Sequence, residues 1–346
     1  MRAVQYTNVG DPPRVTDVPV PEPGPGQLVL RVTAAGVCHS DLAVMSWPAD
    51  GFPYPLPLTL GHEAAGRVEA LGDGVHGVSE GESVVVYGPW GCGLCRNCSR
   101  GMENYCPHAG RLGIRPPGLG APGALAEYLL VDAERHVVPI GGMDPVETVP
   151  LTDAGLTPYH VVKRSLDRLF PGSTAVVIGA GGLGHVAIQL LRAVSSATVV
   201  ALDTREQSRE LARQSGAHHV FPSNTDAAEH LRDLTGGAGA DAVFDFVGAK
   251  ATTDMASRMA GMDSDVNIVG IADGSFPVSF GSVPFGTRAA ITYWGGRPEL
   301  IELIDLAARG AVSVEVQRFS LEDGPRVYER MRSGDIHGRA VIVPGA

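Results

Sequence analysis

One hexapeptide limits the fold of this chain more than any other stretch: Gly179-Ala180-Gly181-Gly182-Leu183-Gly184. It follows the apolar run Ala175-Val176-Val177-Ile178 and precedes an amphipathic segment, residues 185–194. The G-x-G-x-x-G pattern therefore sits between a buried strand and a helix. In that setting the first glycine makes a tight turn, the second lets the backbone approach a pyrophosphate, and the third lets helix and strand pack closely. The helix N-terminus then faces the phosphates. The next strand, Ala197-Thr198-Val199-Val200-Ala201-Leu202, ends in Asp203, 19 residues after Gly184. An acidic side chain there can hydrogen-bond both ribose hydroxyls and repel a 2′-phosphate, which favours NAD over NADP. Arg205, two residues on, works against that preference.

The alternation continues downstream. Residues 206–214, 227–235 and 251–259 have helical patterning, and 242–247, 266–270 and 289–294 are strand-like. This predicts an α/β, doubly wound parallel sheet over residues 155–291. A last amphipathic helix is expected at 297–309. A β-rich tail (312–316 and 340–343) is expected to rejoin the first domain. Residues 1–35 are β-rich, with strand-like runs at Ala3-Val4-Gln5-Tyr6 and Leu28-Val29-Leu30-Arg31-Val32. Further strand candidates are 82–88, 125–131 and 136–139.

At 346 residues, 44% of them hydrophobic, the chain can bury a core in each of about two domains without disulfides. Its net charge is -11, which disfavours nucleic acid as a partner. No apolar run approaches the ~18 residues of a membrane span. The start, Met1-Arg2-Ala3-Val4-Gln5-Tyr6, lacks the apolar stretch of a signal peptide, so cytoplasm is the expected location.

The cysteines point to metal. There are five: Cys38 stands apart, and Cys92, Cys95, Cys98 and Cys106 are spaced C-x2-C-x2-C-x7-C. Paired C-x2-C turns aim sulfurs at one ion, and four thiolates close a tetrahedral zinc shell with no open position, so this site should be structural. An iron–sulfur cluster or a redox disulfide are the alternatives. A second constellation is looser. Gly61-His62-Glu63 places an imidazole beside a carboxylate, as suits a metal ligand and its hydrogen-bond partner. Cys38 is either a thiolate ligand or a small buried hydrophobe, and the polar His39, Ser40 and Asp41 beside it speak against a purely apolar site. Asp153 can cap a following helix or be a third ligand. Tyr54, in the stiff proline- and aromatic-rich stretch 47–60, can line a pocket or only pack its own loop.

With these motifs in place, the whole chain resembles the zinc-dependent medium-chain alcohol dehydrogenases. G-H-E-x2-G-x5-G-x2-V is matched from Gly61 to Val75, the four-cysteine lobe is complete, and the glycine loop lies at the expected distance. The likeness is greatest to bacterial secondary-alcohol dehydrogenases, through Tyr293-Trp294 and the aspartate at 153. It implies a GroES-like catalytic domain (1–154, with the lobe at about 88–110), a Rossmann domain (155–291), and a C-terminal segment (292–346) returning to the catalytic domain. It implies two zinc ions per chain. The catalytic one is held by Cys38, His62 and Asp153, with Glu63 as an outer contact or transient ligand. The structural one is held by Cys92, Cys95, Cys98 and Cys106. Ser40 would relay the substrate proton, His39 would contact the pyrophosphate, and Thr157 would pack near the nicotinamide. Gly179, Gly181, Gly182, Leu183, Gly184, Asp203 and Arg205 complete the expected cofactor set. Tyr54, Leu119, Tyr293 and Trp294 are the expected pocket walls, each equally able to be core packing.

One departure matters. Many relatives finish the proton relay with a histidine where this chain has Ala43. Asp153 replaces a cysteine found in many relatives; a harder donor of the same charge should leave zinc a stronger Lewis acid. The implied reaction is reversible oxidation of a secondary alcohol by hydride transfer to NAD, with the alcohol oxygen taking zinc's open fourth position. A polyol dehydrogenase, or a zinc- and NAD-binding protein without activity, are the rival readings. A homodimer or homotetramer is expected, with residues 289–293 pairing across a two-fold axis.

Overall fold

The computed structural model describes residues 1–345. The chain divides into two compact units: Met1–Asp153 with Gly295–Ala308 and Ser313–Ala346, and Ala154–Trp294 with Arg309–Val312.

In the second unit a six-stranded sheet runs, in order, His219–Pro222, Thr198–Asp203, Thr174–Ile178, Ala240–Asp245, Ala260–Ile268 and Arg288–Ile291. Every neighbouring pair is parallel. In chain order this is 3-2-1-4-5-6, the doubly wound dinucleotide-binding arrangement. The strands are β-branched and apolar because both faces are covered: all five residues of Thr174–Ile178 are buried. Alternate residues feed two separate cores. Val177, Val199, Ala201 and Phe244 pack with Ala187, Ile188 and Leu191 of the helix Gly184–Val194. Val176, Val200, Leu202 and Val243 pack with Leu231, Met255 and Met259 on the opposite face.

The first unit is mostly β. Its larger sheet places Arg339–Val343 beside Leu28–Val37, followed by Glu63–Leu71, Ser83–Val86 and Val137–Pro139. Val316–Ser320 pairs with the free side of Arg339–Val343, and Tyr128–Val131 pairs with Leu28–Val37. Leu28, Leu30, Leu60, Val84, Leu125, Leu129, Tyr328 and Ile342 lie in one core.

Several elements differ from the sequence reading. The tail strand begins at Val316, where pairing with Arg339 begins; residues 312–315 lie in the stretch where the chain passes from one unit to the other. The edge strand stops at Ile291, and Trp294 adopts a left-handed backbone (φ 53°) that no strand accommodates. His136 lies in the 3-10 turn Glu134–His136, and only Val137–Pro139 extends as strand. The helices His39–Met45 and Gly324–Ser333 had no counterpart in the periodicity reading. Among the described residues, no helix is long and apolar enough to cross a membrane.

Candidate active site

Strand register assembles the first cluster. Leu28–Val37 runs antiparallel to Glu63–Leu71, with Gly36 opposite Glu63. Cys38 follows that strand and caps the helix His39–Met45, while His62 immediately precedes the facing strand. Asp153 ends the 3-10 turn Val149–Thr152; the next helix, Leu156–Arg164, is capped by Gly155. Cys38, His62, Glu63 and Asp153 are all buried, and one donor atom from each lies within 4.8 Å of the others. Cys38 Sγ is 3.3 Å from Asp153 Oδ2, and His62 Nε2 is 3.5 Å from the same oxygen.

These separations fit zinc, whose tetrahedral N, O and S ligands stand ~3.3–3.8 Å apart at ordinary bond lengths. Glu63 Oε2 is buried without a hydrogen-bond partner, as a carboxylate within reach of a cation would be. Gly36 is required here: a Cβ at that position would lie 2.0 Å from Glu63 Oε2. Ser40 Oγ is 3.7 Å from Cys38 Sγ, half-buried at the rim of the cluster. His39 is exposed.

Three residues complete this site that motif reading did not single out. Asp41 accepts the Cys38 N–H (3.2 Å) through Oδ2 and faces His62 Nδ1 (3.0 Å) through Oδ1. The Tyr328 hydroxyl donates to Asp41 Oδ2 at 3.0 Å. Arg339 pairs through Nη2 with Glu63 Oε1, lies 4.0 Å from Asp153 Oδ2, and places Nη1 3.7 Å from Cys38 Sγ. Asp41 carried a faint signal as a polar neighbour of Cys38; Tyr328 and Arg339 carried none. Burial opposes charging His62, but Asp41, together with hydrogen bonds to Asp153 and Cys38, outweighs it and holds the imidazole well above its ordinary pKa.

The second cluster is local. Cys92, Cys95, Cys98 and Cys106 again place one donor atom each within 4.8 Å. Sulfur separations of 3.4, 3.9 and 4.0 Å bracket the ~3.8 Å expected of thiolates on one tetrahedral zinc. All five cysteines are free of disulfides. N–H groups of Leu94 and Cys95 draw the Cys92 thiol down to about 6, whereas burial pushes Cys98 up to about 12.

In the second unit the glycine loop joins Thr174–Ile178 to Gly184–Val194. A Cβ at Gly184 would lie 1.9 Å from the Gly179 carbonyl oxygen, so helix and loop can meet only at glycine. A Cβ at Gly181 would meet only Arg205 Nη2, at 3.6 Å, which leaves that face open to a pyrophosphate. Gly182 and Leu183 are half-buried in the same turn. Asp203 Oδ2 accepts the Ala180 N–H and Oδ1 the Arg205 N–H, each at 2.9 Å. Each oxygen keeps a lone pair for a ribose hydroxyl. The Arg205 side chain is exposed, with Nε 3.8 Å from Asp203. Thr157 is buried.

The pocket candidates fall in both units. Tyr54 and Leu119 are half-buried against the first unit's core, with Arg115 over the Tyr54 ring. Tyr293 is 47% exposed and Trp294 is buried, their rings edge to face at 5.7 Å.

Residues 24–142 match the family model of the alcohol dehydrogenase GroES-like domain, and residues 182–309 that of the zinc-binding dehydrogenases. Over 99% of its length the chain is 35% identical to the NAD-dependent alcohol dehydrogenase of Sulfurisphaera tokodaii, 100% of which is covered. Its fold is similar to that of the alcohol dehydrogenase of Aeropyrum pernix, with a TM-score of 0.91 and 34% identity over 99% of this chain and 100% of the other. It is also similar to acetophenone reductase from Geotrichum candidum, solved in complex with NAD, with a TM-score of 0.85 and 32% identity over 99% and 97% of the two chains.

Proposed function

The chain belongs to the zinc-dependent medium-chain alcohol dehydrogenases, with zinc and NAD as cofactors and an alcohol or ketone as substrate, and from that membership we propose that it reversibly oxidises secondary alcohols to ketones. The observation that carries the reading is the convergence of Cys38, His62 and Asp153, with Glu63 behind them, in one buried cluster. These three would hold the catalytic zinc, and Cys92, Cys95, Cys98 and Cys106 the structural one. When bound, zinc polarises the substrate oxygen and NAD accepts the hydride. The protein's part is to orient and to move the proton. Ser40, next but one to Cys38, would take the alcohol proton. Ala43 offers no imidazole to pass it on.

We assign residues 155–291 to NAD binding. Gly179, Gly181, Gly182, Leu183 and Gly184 would cradle the pyrophosphate. Asp203 would take the ribose, with Arg205 beside it, and His39 and Thr157 would contact the cofactor. Residues 1–154 with the returning tail hold both metal clusters. The apolar character of the candidates Tyr54, Leu119, Tyr293 and Trp294 favours an apolar substrate, and similarity to an acetophenone reductase, whose named substrate is a ketone, supports this class. The edge strand Arg288–Ile291 has a partner on one side only among the described residues. Ile291 (88%) and Phe280 (95%) stand exposed nearby in sequence, which supports a homo-oligomer formed through that strand. Free cysteines fit a cytoplasmic location.

With NAD and nicotinamide absorbance as the readout, kcat/KM for butan-2-ol and 1-phenylethanol is expected to exceed that for ethanol and sorbitol. A preference for sorbitol would replace this reading with a polyol dehydrogenase.

A further inference from the structure

The metal-site network runs further than its ligands. Asp41 is fully buried and takes three donors. Oδ2 accepts the Cys38 N–H and the Tyr328 hydroxyl, and Oδ1 faces His62 Nδ1. An ionised carboxylate can only accept. The proton of a neutral His62 must then sit on Nδ1, leaving the Nε2 lone pair directed at the side where Asp153 and Cys38 lie. One carboxylate thus fixes the backbone of one ligand and the tautomer and ring orientation of the next.

What fixes Asp41 itself is a side chain 287 residues away in sequence. Tyr328 is fully buried on the helix Gly324–Ser333, whose inner face also carries Val327 and Met331. Without its hydroxyl, Asp41 Oδ2 would keep one backbone donor and could rotate about its Cβ–Cγ bond. We propose that Tyr328 is a positioning residue for the catalytic metal: by holding Asp41, it orients His62 and Cys38, so that the C-terminal helix sets how tightly the ion is kept. This rests on the reading of Cys38, His62 and Asp153 as zinc ligands. Loss of such an outer partner costs ~10–100-fold in metal affinity in comparable sites.

The test uses the full-length zinc enzyme. Tyr328→Phe keeps the ring and removes one oxygen. Tyr6→Phe is the matched control: that ring is fully buried too, and its hydroxyl touches the Gly10 N–H and the Met45 carbonyl, not a ligand. Zinc transfer to the chelator 4-(2-pyridylazo)resorcinol and the visible spectrum of the cobalt(II)-substituted enzyme are read for each. Tyr328→Phe is expected to release one of its two zinc ions ~10–100-fold faster, with a shifted cobalt spectrum and unchanged affinity for NAD. Tyr6→Phe is expected to lose stability alone. In an Asp41→Asn background the added effect of Tyr328→Phe should vanish. Wild-type zinc release and an unchanged cobalt spectrum in Tyr328→Phe overturn the proposal. If that variant does not fold, 3-fluorotyrosine at 328 alters the donor strength alone, and an unshifted cobalt spectrum overturns the proposal equally. Failure of the ligand reading looks different: His62→Ala would then retain both zinc ions.

Discussion

The two metal clusters of the first unit are built by opposite means. Cys92, Cys95, Cys98 and Cys106 come from fifteen consecutive positions and need only tight turns. Backbone N–H groups point at the sulfurs, Cys92 N to Cys106 Sγ at 3.4 Å and Cys98 N to Cys95 Sγ at 3.5 Å, and one short 3-10 turn begins at the third cysteine while another precedes the fourth. Cys38 and Asp153 lie 115 residues apart; with His62 they come from separate segments and are oriented by side chains as distant as Tyr328 and Arg339. Four like ligands in one loop would close a shell and stabilise a fold. Three unlike ligands on separate elements would leave a corner open and make the grip on an ion depend on the whole sheet. If that contrast is right, damage to each cluster has a different signature.

The largest effect separates them outright. His62→Ala or Cys38→Ser should cost at least ~10³-fold in kcat, since the polarising ion is worth several kcal/mol to the transition state. NAD binding, followed by calorimetry, should survive in both. Retained turnover in either variant would break the assignment. Cys95→Ser should instead lose one zinc and about 3 kcal/mol of stability, a fall in Tm of ~6–12 °C for a domain of this size. Its activity should fall only as the fold does. A variant with one zinc, full activity and an unchanged Tm would show that the lobe is not structural.

Arg339 sharpens the contrast on the buried side. It is 4% exposed and its pair with Glu63 is enclosed, so Arg339→Met leaves a carboxylate with no counter-charge. Breaking a buried pair in this way costs about 3–5 kcal/mol. Glu63 has one relief, because one of its carboxylate oxygens lies within 4.8 Å of the donor atoms of Cys38, His62 and Asp153, where zinc would sit. The loss should therefore be greater when the buried site is stripped of zinc than when it is loaded. Thermal unfolding of both forms decides the point, and equal losses would disconnect Glu63 from the metal.

The same contrast explains what the sequence disclosed. The glycine loop and the four-cysteine spacing are local, and each residue type has one physical reason to recur at its interval. The parallel sheet was legible because strands buried on both faces read as continuous apolar runs, as at Thr174–Ile178. His62 and Cys38 were legible as chemistry from their own residues, but as neighbours only through the family resemblance. Their meeting depends on the register that sets Gly36 against Glu63. Arg339 reaches Cys38 because Ala340 pairs with Val37, a pairing between strands about 300 residues apart that no spacing encodes. The helix His39–Met45 carries no periodic signal, because seven residues are too few for a hydrophobic period to emerge. The helix Gly324–Ser333 puts only four residues in the interior, so its sequence reads as polar.

The smallest effect concerns a long-range tether of the cysteine lobe. Glu103 lies between Cys98 and Cys106 in the chain; it accepts the Gly91 N–H at 2.8 Å and meets His136 Nε2 at 3.1 Å and Arg135 Nε at 3.3 Å. His136 is fully buried and stacked on Trp90 (5.1 Å, 8°), so this contact docks the lobe on the sheet. Burial alone would raise the Glu103 pKa; the His136 hydrogen bond and charge, the Gly91 N–H and Arg135 overcome it and hold it below its ordinary 4.5. A depressed carboxylate contributes stability that is fully present above its unfolded pKa and is lost as pH falls through the folded one. Glu103→Gln should therefore cost about 2 kcal/mol at pH 7. The gap between variant and parent should close on acidification below about pH 4.5. Urea unfolding of both proteins along a pH series measures it, and zinc loss common to the two cancels in the difference. A gap that stays constant into acid would mean that the ionised carboxylate does not hold the lobe, which would then be as self-contained as its spacing suggests.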